Sequence, residues 1–232
     1  MQDLLGAWRM VRTHPFGVLL PAAADLAIGV LLYVHVGDAI RTEGVWIGVA
    51  TWFAARLGRG VVTVPLRGMR LVAGARAVGH QVAGIRPGPL LVVVAVAELL
   101  REGMAVAIVV PTVAAGLALA DAGWIGSGLL TAAAGVLGAQ VAALGVESIV
   151  AGAPIEVVVG GKSSLGALRQ SVVQAPVAAL PRFLLLAAGR STALVGGLVC
   201  GAGALPGYPL DDLAVLHHWL RTFSPDREVI PV

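Results

Sequence analysis

The chain has 232 residues, of which 58% are hydrophobic and 12% are charged. Soluble domains average roughly 45–50% apolar and about 25% charged residues, so this composition excludes a soluble globular protein and predicts an all-α, polytopic integral membrane helix bundle. The net charge of +3 comes from arginines at predicted membrane edges, which favours anionic lipid headgroups over nucleic acid as the partner.

Five apolar segments follow one another along the chain, and each is long enough to form a membrane-spanning helix. They cover residues 16–36, 45–64, 103–120, 124–146 and 191–210. Residues 211–232 are too polar for a sixth span, although a count of six is left open. The sequence therefore predicts one membrane domain over residues 1–210 and a short polar tail over residues 211–232.

Basic residues are spread unevenly among the segments that connect these spans. Residues 1–15, 56–86 and 148–175 hold ten of the sixteen basic residues, and residues 56–86 hold six arginines without any acid. Because cytoplasmic loops are enriched in Lys and Arg, we expect a multi-pass protein of the cell membrane with a cytoplasmic N-terminus. A count of five spans then puts the tail on the opposite side of the membrane.

Short, part-polar helices precede a proline and an apolar segment at three places, which predicts three weakly similar units over residues 1–64, 66–150 and 163–210. Chance similarity among apolar segments is the alternative.

The segment from Gly161 to Ser171 (GKSSLGALRQS), echoed weakly by residues 5–15, resembles a loose group of polytopic, mostly archaeal membrane proteins. This group includes the membrane-domain family of glycerophosphoryl diester phosphodiesterases. The resemblance implies the architecture and no enzymatic activity, because the catalytic barrel of that family is a separate domain.

Residues 88–120 contain only three charges, and these stand close together at Glu98, Arg101 and Glu102. Inserting three charges at the membrane centre costs about 8–10 kcal/mol of free energy. Inserting the fifteen Leu, Ile and Val residues is favourable by roughly 5–9 kcal/mol. A span centred on the charges is therefore marginal. We expect residues 90–97 to lie along or dip into the membrane, with a charged hinge at the cytoplasmic edge and a span from residue 103.

Further charges lie within or beside the predicted spans and could pair with this triad. The resulting hypothesis is an ionic cluster of Glu98, Arg101, Glu102, Glu147, Arg182, Arg190 and Asp25, in which Asp25 pairs with Arg56 or Arg59. Such charges tie helices together or reach out to the headgroups, and in carriers they mark a path for a substrate or for protons. All three interpretations are left open.

Four arginines fall on one stripe of a helix around a proline that would kink it. They are Arg56, Arg59, Arg67 and Arg70, with Pro65 between the pairs. We interpret the stripe as a solvated edge that faces lipid headgroups, and as a candidate contact for anionic lipid.

Other motifs do not support catalysis or metal binding. Gly160–Ser163 resembles the end of a phosphate-binding loop, but Glu156 stands where that loop needs a glycine. His217 and His218 are adjacent and lack a third ligand, which argues against a metal site. Asp211 and Asp212 are expected to start a short terminal helix, with their charges at its positive end. The pair Gly197 and Gly201 permits close helix contact.

These observations favour a non-enzymatic scaffold, accessory subunit or membrane-organising protein, without a cofactor. The alternative is a small transporter or lipid-handling protein that uses its intramembrane charges. Candidate partners are anionic membrane lipids, a second copy of the chain or other membrane subunits. A cavity that reaches Glu98 would favour the alternative, whereas charges closed off in pairs would favour the scaffold.

Overall fold

The fold is built from helices packed side by side. The structure, a computed structural model, describes residues 2–200 and 208–223. These residues form nine helices and contain no strand. In chain order the helices are α1 (Gln2–Thr13), α2 (Pro15–Glu43), α3 (Val45–Val62), α4 (Val64–Ala77), α5 (Pro87–Asp121), α6 (Ile125–Val150), α7 (Gly152–Val158), α8 (Ser164–Cys200) and α9 (Leu210–Phe223).

Four stretches of the described chain are long and apolar enough to cross a membrane. They are α2, α5, α6 together with α7, and α8 as far as Val195. In the most apolar window of α5 only 17% of the residues are buried, so most of this helix faces outward, as a lipid-facing helix does. The expectation of an all-α membrane bundle is confirmed. The remaining predicted span, α3, is an 18-residue helix that carries Arg56 and Arg59 and is not among the four. The count of five stays a prediction.

The charged triad does not interrupt its helix, so the predicted hinge at the triad is wrong. The position of residues 90–97 relative to the membrane stays a prediction. α5 runs without a break from Pro87 to Asp121. The residues before the triad pack inside the protein, where Leu90 and Val93 are fully buried. The physical reason is that the triad is neutralised by neighbouring helices, so the insertion cost that argued for a hinge is removed.

In the third predicted unit, the part-polar segment and the apolar segment belong to one continuous helix. α8 continues through Pro176 and Pro181 over 37 residues. A proline inside a membrane helix is tolerated where neighbours stabilise the freed backbone groups. Residues 201–207, which end the predicted span at 191–210, lie outside the described residues, and so does Gly201 of the glycine pair.

The main hydrophobic core joins the short helices to parts of the long ones. It contains residues of α1, α4, α7 and α9 together with Leu90 and Val93 of α5 and Leu186 of α8. A smaller core of Ala105, Val109, Ala139 and Ala143 holds α5 against α6. The short helices therefore assemble one end of the bundle, and they bring their polar residues to its interior.

The terminal segment starts a helix with its acids in the first turn, as expected. α9 packs against α1, and Asp3 of α1 contacts both His217 and Arg221 of α9. The described part of the tail therefore lies beside the first helix, and the side of the membrane on which it lies stays a prediction. α9 packs through its apolar face, where Leu213 and Leu216 are fully buried in the main core. Residues 224–232 lie outside the described residues.

The hairpin of α5 and α6 depends on glycines at the helix crossing. A Cβ atom added at Gly128 would lie 2.4 Å from the carbonyl oxygen of Gly116, which is too close for any side chain. Small residues of this kind let two membrane helices approach closely.

We expect Gly128→Ala to separate α5 from α6 and to lower the stability of the protein by about 1–3 kcal/mol. Thermal unfolding in detergent measures the effect. Gly138→Ala is the matched control, since it lies in the same helix and a Cβ atom there meets nothing within 4 Å. Equal melting temperatures for the two variants would contradict the role of the crossing.

Candidate functional site

A polar cavity of about 450 Å³ lies between the helices. Its wall receives side chains from every helix except α1 and α7, and from Tyr208 just before α9. Six arginines line it, namely Arg56, Arg59, Arg67, Arg70, Arg101 and Arg190. The acids in the wall are Asp25, Glu98, Glu147, Asp211 and Asp212. The cavity therefore unites residues that the sequence assigned to two separate groups.

The arginine stripe faces this interior rather than a headgroup edge. α3 supplies Arg56 and Arg59, and α4, which begins after the turn at Thr63, supplies Arg67 and Arg70. Each of the four guanidinium groups pairs with a carboxylate of another helix. The side chain of Arg70 is only 5% exposed, so its charge is compensated inside the protein. Contact of the stripe with anionic lipid stays a prediction.

Asp25 of α2 pairs with one of its two expected partners. Its Oδ1 atom accepts a hydrogen bond of 3.0 Å from Arg59 Nε, and its Oδ2 atom accepts one of 3.0 Å from Arg70 Nη1. Arg56 instead donates to Glu102 Oε1 at 2.8 Å and stacks over the ring of Trp52. A single carboxylate thus connects α2 to both α3 and α4.

The triad of α5 is the point where the two predicted groups meet. Arg101 contacts both Glu98 and Glu102 of its own helix, and its Nη1 atom lies 3.7 Å from Glu147 Oε2 on α6. Gly60 of α3 gives Glu98 its space, because a Cβ atom there would lie 2.4 Å from Glu98 Cγ. Glu102 is 1% exposed and lies between Arg56 and Arg101.

Arg190 joins the cluster as predicted, but the expected pairing of Arg182 with its acids is wrong. Arg190 pairs with Glu147, and its Nε atom lies 3.6 Å from Asp211. Eight residues of helix separate the two arginines by about 12 Å, so they cannot reach the same acids.

Arg182 lies fully buried in a separate polar group between α7, α8 and α9. It donates to Gln174 Oε1 at 2.7 Å and to Ser171 Oγ at 3.3 Å, and it lies over the ring of Phe223. Gln174 in turn donates to Glu156, which also accepts from Trp219. This group ties α9 to α8 away from the cavity.

Sequence reasoning missed the contribution of α9 to the cavity. The two oxygens of Asp212 accept from Arg67 at 2.7 Å and from Arg70 at 2.9 Å. The ring of Tyr208 lies beside Arg59 and Arg70, whose guanidinium carbons are each 5.6 Å from its centroid. The available signal was the surplus of arginines in residues 56–86, which requires acids from elsewhere in the chain.

The pKa values of the two adjacent acids of α9 are shifted in opposite directions. Burial raises the pKa of Asp211 above its ordinary value, and the charge of Asp212 raises it further. Burial acts the same way on Asp212, but Arg67 and Arg70 outweigh it and hold the pKa of Asp212 below its ordinary value. Asp212 is therefore a firmly held anion, and Asp211 is a poorly compensated one.

The arrangement provides charge complementarity and hydrogen-bond donors. In residues 2–200 and 208–223, no group of three or more His, Cys, Asp or Glu side chains could hold a metal ion. His217 and His218 approach Asp3 in the contact between α1 and α9. The cavity is thus suited to bind a charged group and orient it.

No protein-family model, curated protein or solved structure matches this chain. The resemblance noted from the sequence stays a prediction.

We expect Arg190→Gln to destabilise the protein by about 2 kcal/mol, because Glu147 loses its closest charge partner inside the bundle. The midpoint of thermal unfolding in detergent checks this. Arg169→Gln removes the same charge from an exposed position of the same helix and should leave the midpoint unchanged. The double variant Glu147→Gln, Arg190→Gln should recover most of the loss, and no recovery would contradict the pairing.

We expect Asp211→Asn to stabilise the protein at neutral pH, since it removes a buried carboxylate whose pKa is raised. In the wild type, at pH values between the raised pKa and the ordinary pKa of about 3.9, Asp211 is protonated in the native state and ionised in the unfolded state. Wild-type stability should rise as the pH falls through this window, and the advantage of the variant should disappear. Melting curves from pH 8 to pH 4 test this, and an advantage that grows on acidification would contradict it.

Proposed function

We propose that this protein binds an amphiphile with an anionic headgroup and acts as a lipid-handling or transport protein of the membrane. The observation that carries the proposal is that the polar cavity adjoins a narrow apolar groove between α2 and α3. Tyr33, Arg56 and Arg59 line both of them.

The narrow groove is lined mostly by apolar side chains, which is the kind of surface that contacts an acyl chain. Its wall includes Leu32 and Val36 of α2 and Trp52 and Ala55 of α3. Gly29 of α2 leaves space here for Arg59, because a Cβ atom at position 29 would lie 2.9 Å from the guanidinium group. An amphiphile with its chain in the groove would carry its headgroup past Arg56 and Arg59 into the cavity.

The cavity has the properties that a headgroup requires. Arginine binds carboxylate and phosphate oxygens through directed pairs of donors, and in a low-dielectric interior these interactions are stronger than in water. Among the described residues, the buried Nε atoms of Arg67 and Arg70 have no hydrogen-bond partner, so each arginine keeps one unused N–H donor.

A scaffold role is the second candidate, and one observation favours it. Every acid of the cluster pairs with an arginine of the cluster, and these pairs connect α2, α3, α4, α5, α6, α8 and α9. Such a network holds a bundle in one arrangement without any ligand.

The test is to purify the protein in lipid nanodiscs and to identify bound lipids and proteins by mass spectrometry. We expect an enriched anionic amphiphile in the wild type and a loss of about tenfold in the variant Arg56→Gln, Arg59→Gln. The control is Arg9→Gln, Arg12→Gln, which removes two exposed arginines of α1.

Equal lipid profiles in all three proteins would overturn the amphiphile proposal. A stoichiometric protein partner that survives both pairs of substitutions would support the scaffold instead.

A further inference from the structure

The first turn of α9 reaches the cavity, while the rest of the helix is held by contacts elsewhere. Leu213 and Leu216 pack over Gly74 of α4, and Trp219 donates to Glu156 at 3.1 Å. His217 lies 2.9 Å from Asp3 of α1. Several contacts of α9 with the bundle therefore do not depend on the acids of its first turn.

These acids neutralise a cavity that would otherwise be positive. Among the described residues, the helices before α9 contribute six arginines to the cluster. They contribute four carboxylates, from Asp25, Glu98, Glu102 and Glu147. The surplus of two positive charges equals the charge of Asp211 and Asp212 together.

The ion pairs show which arginines carry the surplus positive charge. Within residues 2–200 and 208–223, Arg67 has Asp212 as its only paired carboxylate, and Arg70 shares Asp25 with Arg59. Arg190 shares Glu147 with Arg101. Removal of the acids of α9 would leave these three guanidinium groups undercompensated on one side of the cavity.

The two carboxylates are an imperfect match for these arginines. Asp212 occupies Arg67 and Arg70, but Asp211 comes no closer to Arg190 than 3.6 Å. Two adjacent buried carboxylates also repel each other, which agrees with the raised pKa of Asp211. A phosphate monoester carries a charge of about −1.5 to −2 on one group with three acceptor oxygens, so it satisfies the same arginines without that repulsion.

We propose that the cavity binds a phosphate-monoester group at Arg67, Arg70 and Arg190, and that Asp211 and Asp212 are the resident counter-ions which this group displaces. The inference rests on the proposed function, and it adds the class of headgroup and the segment that competes with it.

The test compares the affinity of the wild type with that of Asp211→Asn, Asp212→Asn for short-chain phosphatidic acid, by titration in detergent and native mass spectrometry. We expect the double variant to bind about tenfold more tightly, because two competing charges are removed while the apolar face of α9 is kept. The control Asp38→Asn, Asp121→Asn removes two exposed acids outside the cavity and should leave the affinity unchanged.

The source of the phosphate is distinguished by titrating inorganic phosphate and short-chain phosphatidylcholine in parallel. A gain for phosphatidic acid alone assigns the site to a lipid headgroup. An equal gain for inorganic phosphate assigns it to a free phosphate compound. A gain for the phosphodiester lipid that equals the gain for phosphatidic acid would overturn the assignment to a monoester.

If the double variant does not fold, hydrogen exchange of the wild-type protein tests the displacement of α9 instead. Saturation with phosphatidic acid should speed hydrogen exchange of the backbone amides at residues 210–213, because the first turn of α9 is released. Slower or unchanged exchange would overturn the displacement. Unchanged or weaker binding by a folded variant would overturn this inference alone, whereas no binding of any amphiphile to either protein would overturn the proposed function as well.

Discussion

The constraint on which this structure depends is that charge must be neutralised inside an apolar bundle. An isolated ion costs several kcal/mol to bury even after relaxation, and an ion pair is tolerated only when its geometry and hydrogen bonds are good. The cluster meets this constraint with carboxylates that bridge arginines of different helices. Asp25 bridges Arg59 and Arg70, and Asp212 bridges Arg67 and Arg70. Packing of the long helices around the cavity is thus tied to where these charges lie.

The same constraint links the shape of individual helices to their neighbours. α5 can carry Glu98, Arg101 and Glu102 in the middle of a continuous 35-residue helix because α3 and α6 supply opposite charges at that level. Gly60 contributes by leaving space for the side chain of Glu98. A helix that looks unsuitable for the membrane in isolation therefore becomes suitable in the assembled bundle, and the cavity forms where these charged faces meet.

Composition and hydrophobic patterning were sufficient to predict a helical membrane bundle, and the positions of α2 and α6 follow closely from the apolar segments. Pairing of Asp25 with Arg59 and of Glu147 with Arg190 was also accessible, because each acid had few partners at membrane depth. The continuity of α5 and α8 was not accessible, since insertion costs summed over one segment ignore charges on other segments. Arg182 was assigned to the wrong cluster because two residues on the same face of a helix can still lie far apart along its axis. The acids of α9 were missed because their segment is polar, although its buried face carries Leu213, Leu216 and Trp219.

The position of α9 has a consequence for how the protein is made. Ribosomes synthesise α3 and α4, with their four arginines, well before the acids at positions 211 and 212 exist. During that interval only Asp25 is available to both Arg59 and Arg70, and Arg67 has no carboxylate partner from the preceding residues. The interior of the bundle becomes electrically balanced only when the last helix of the described chain docks. A chain synthesised only as far as α8 therefore still lacks the carboxylates that compensate Arg67 and Arg70, and the bundle gains this stabilisation when α9 docks.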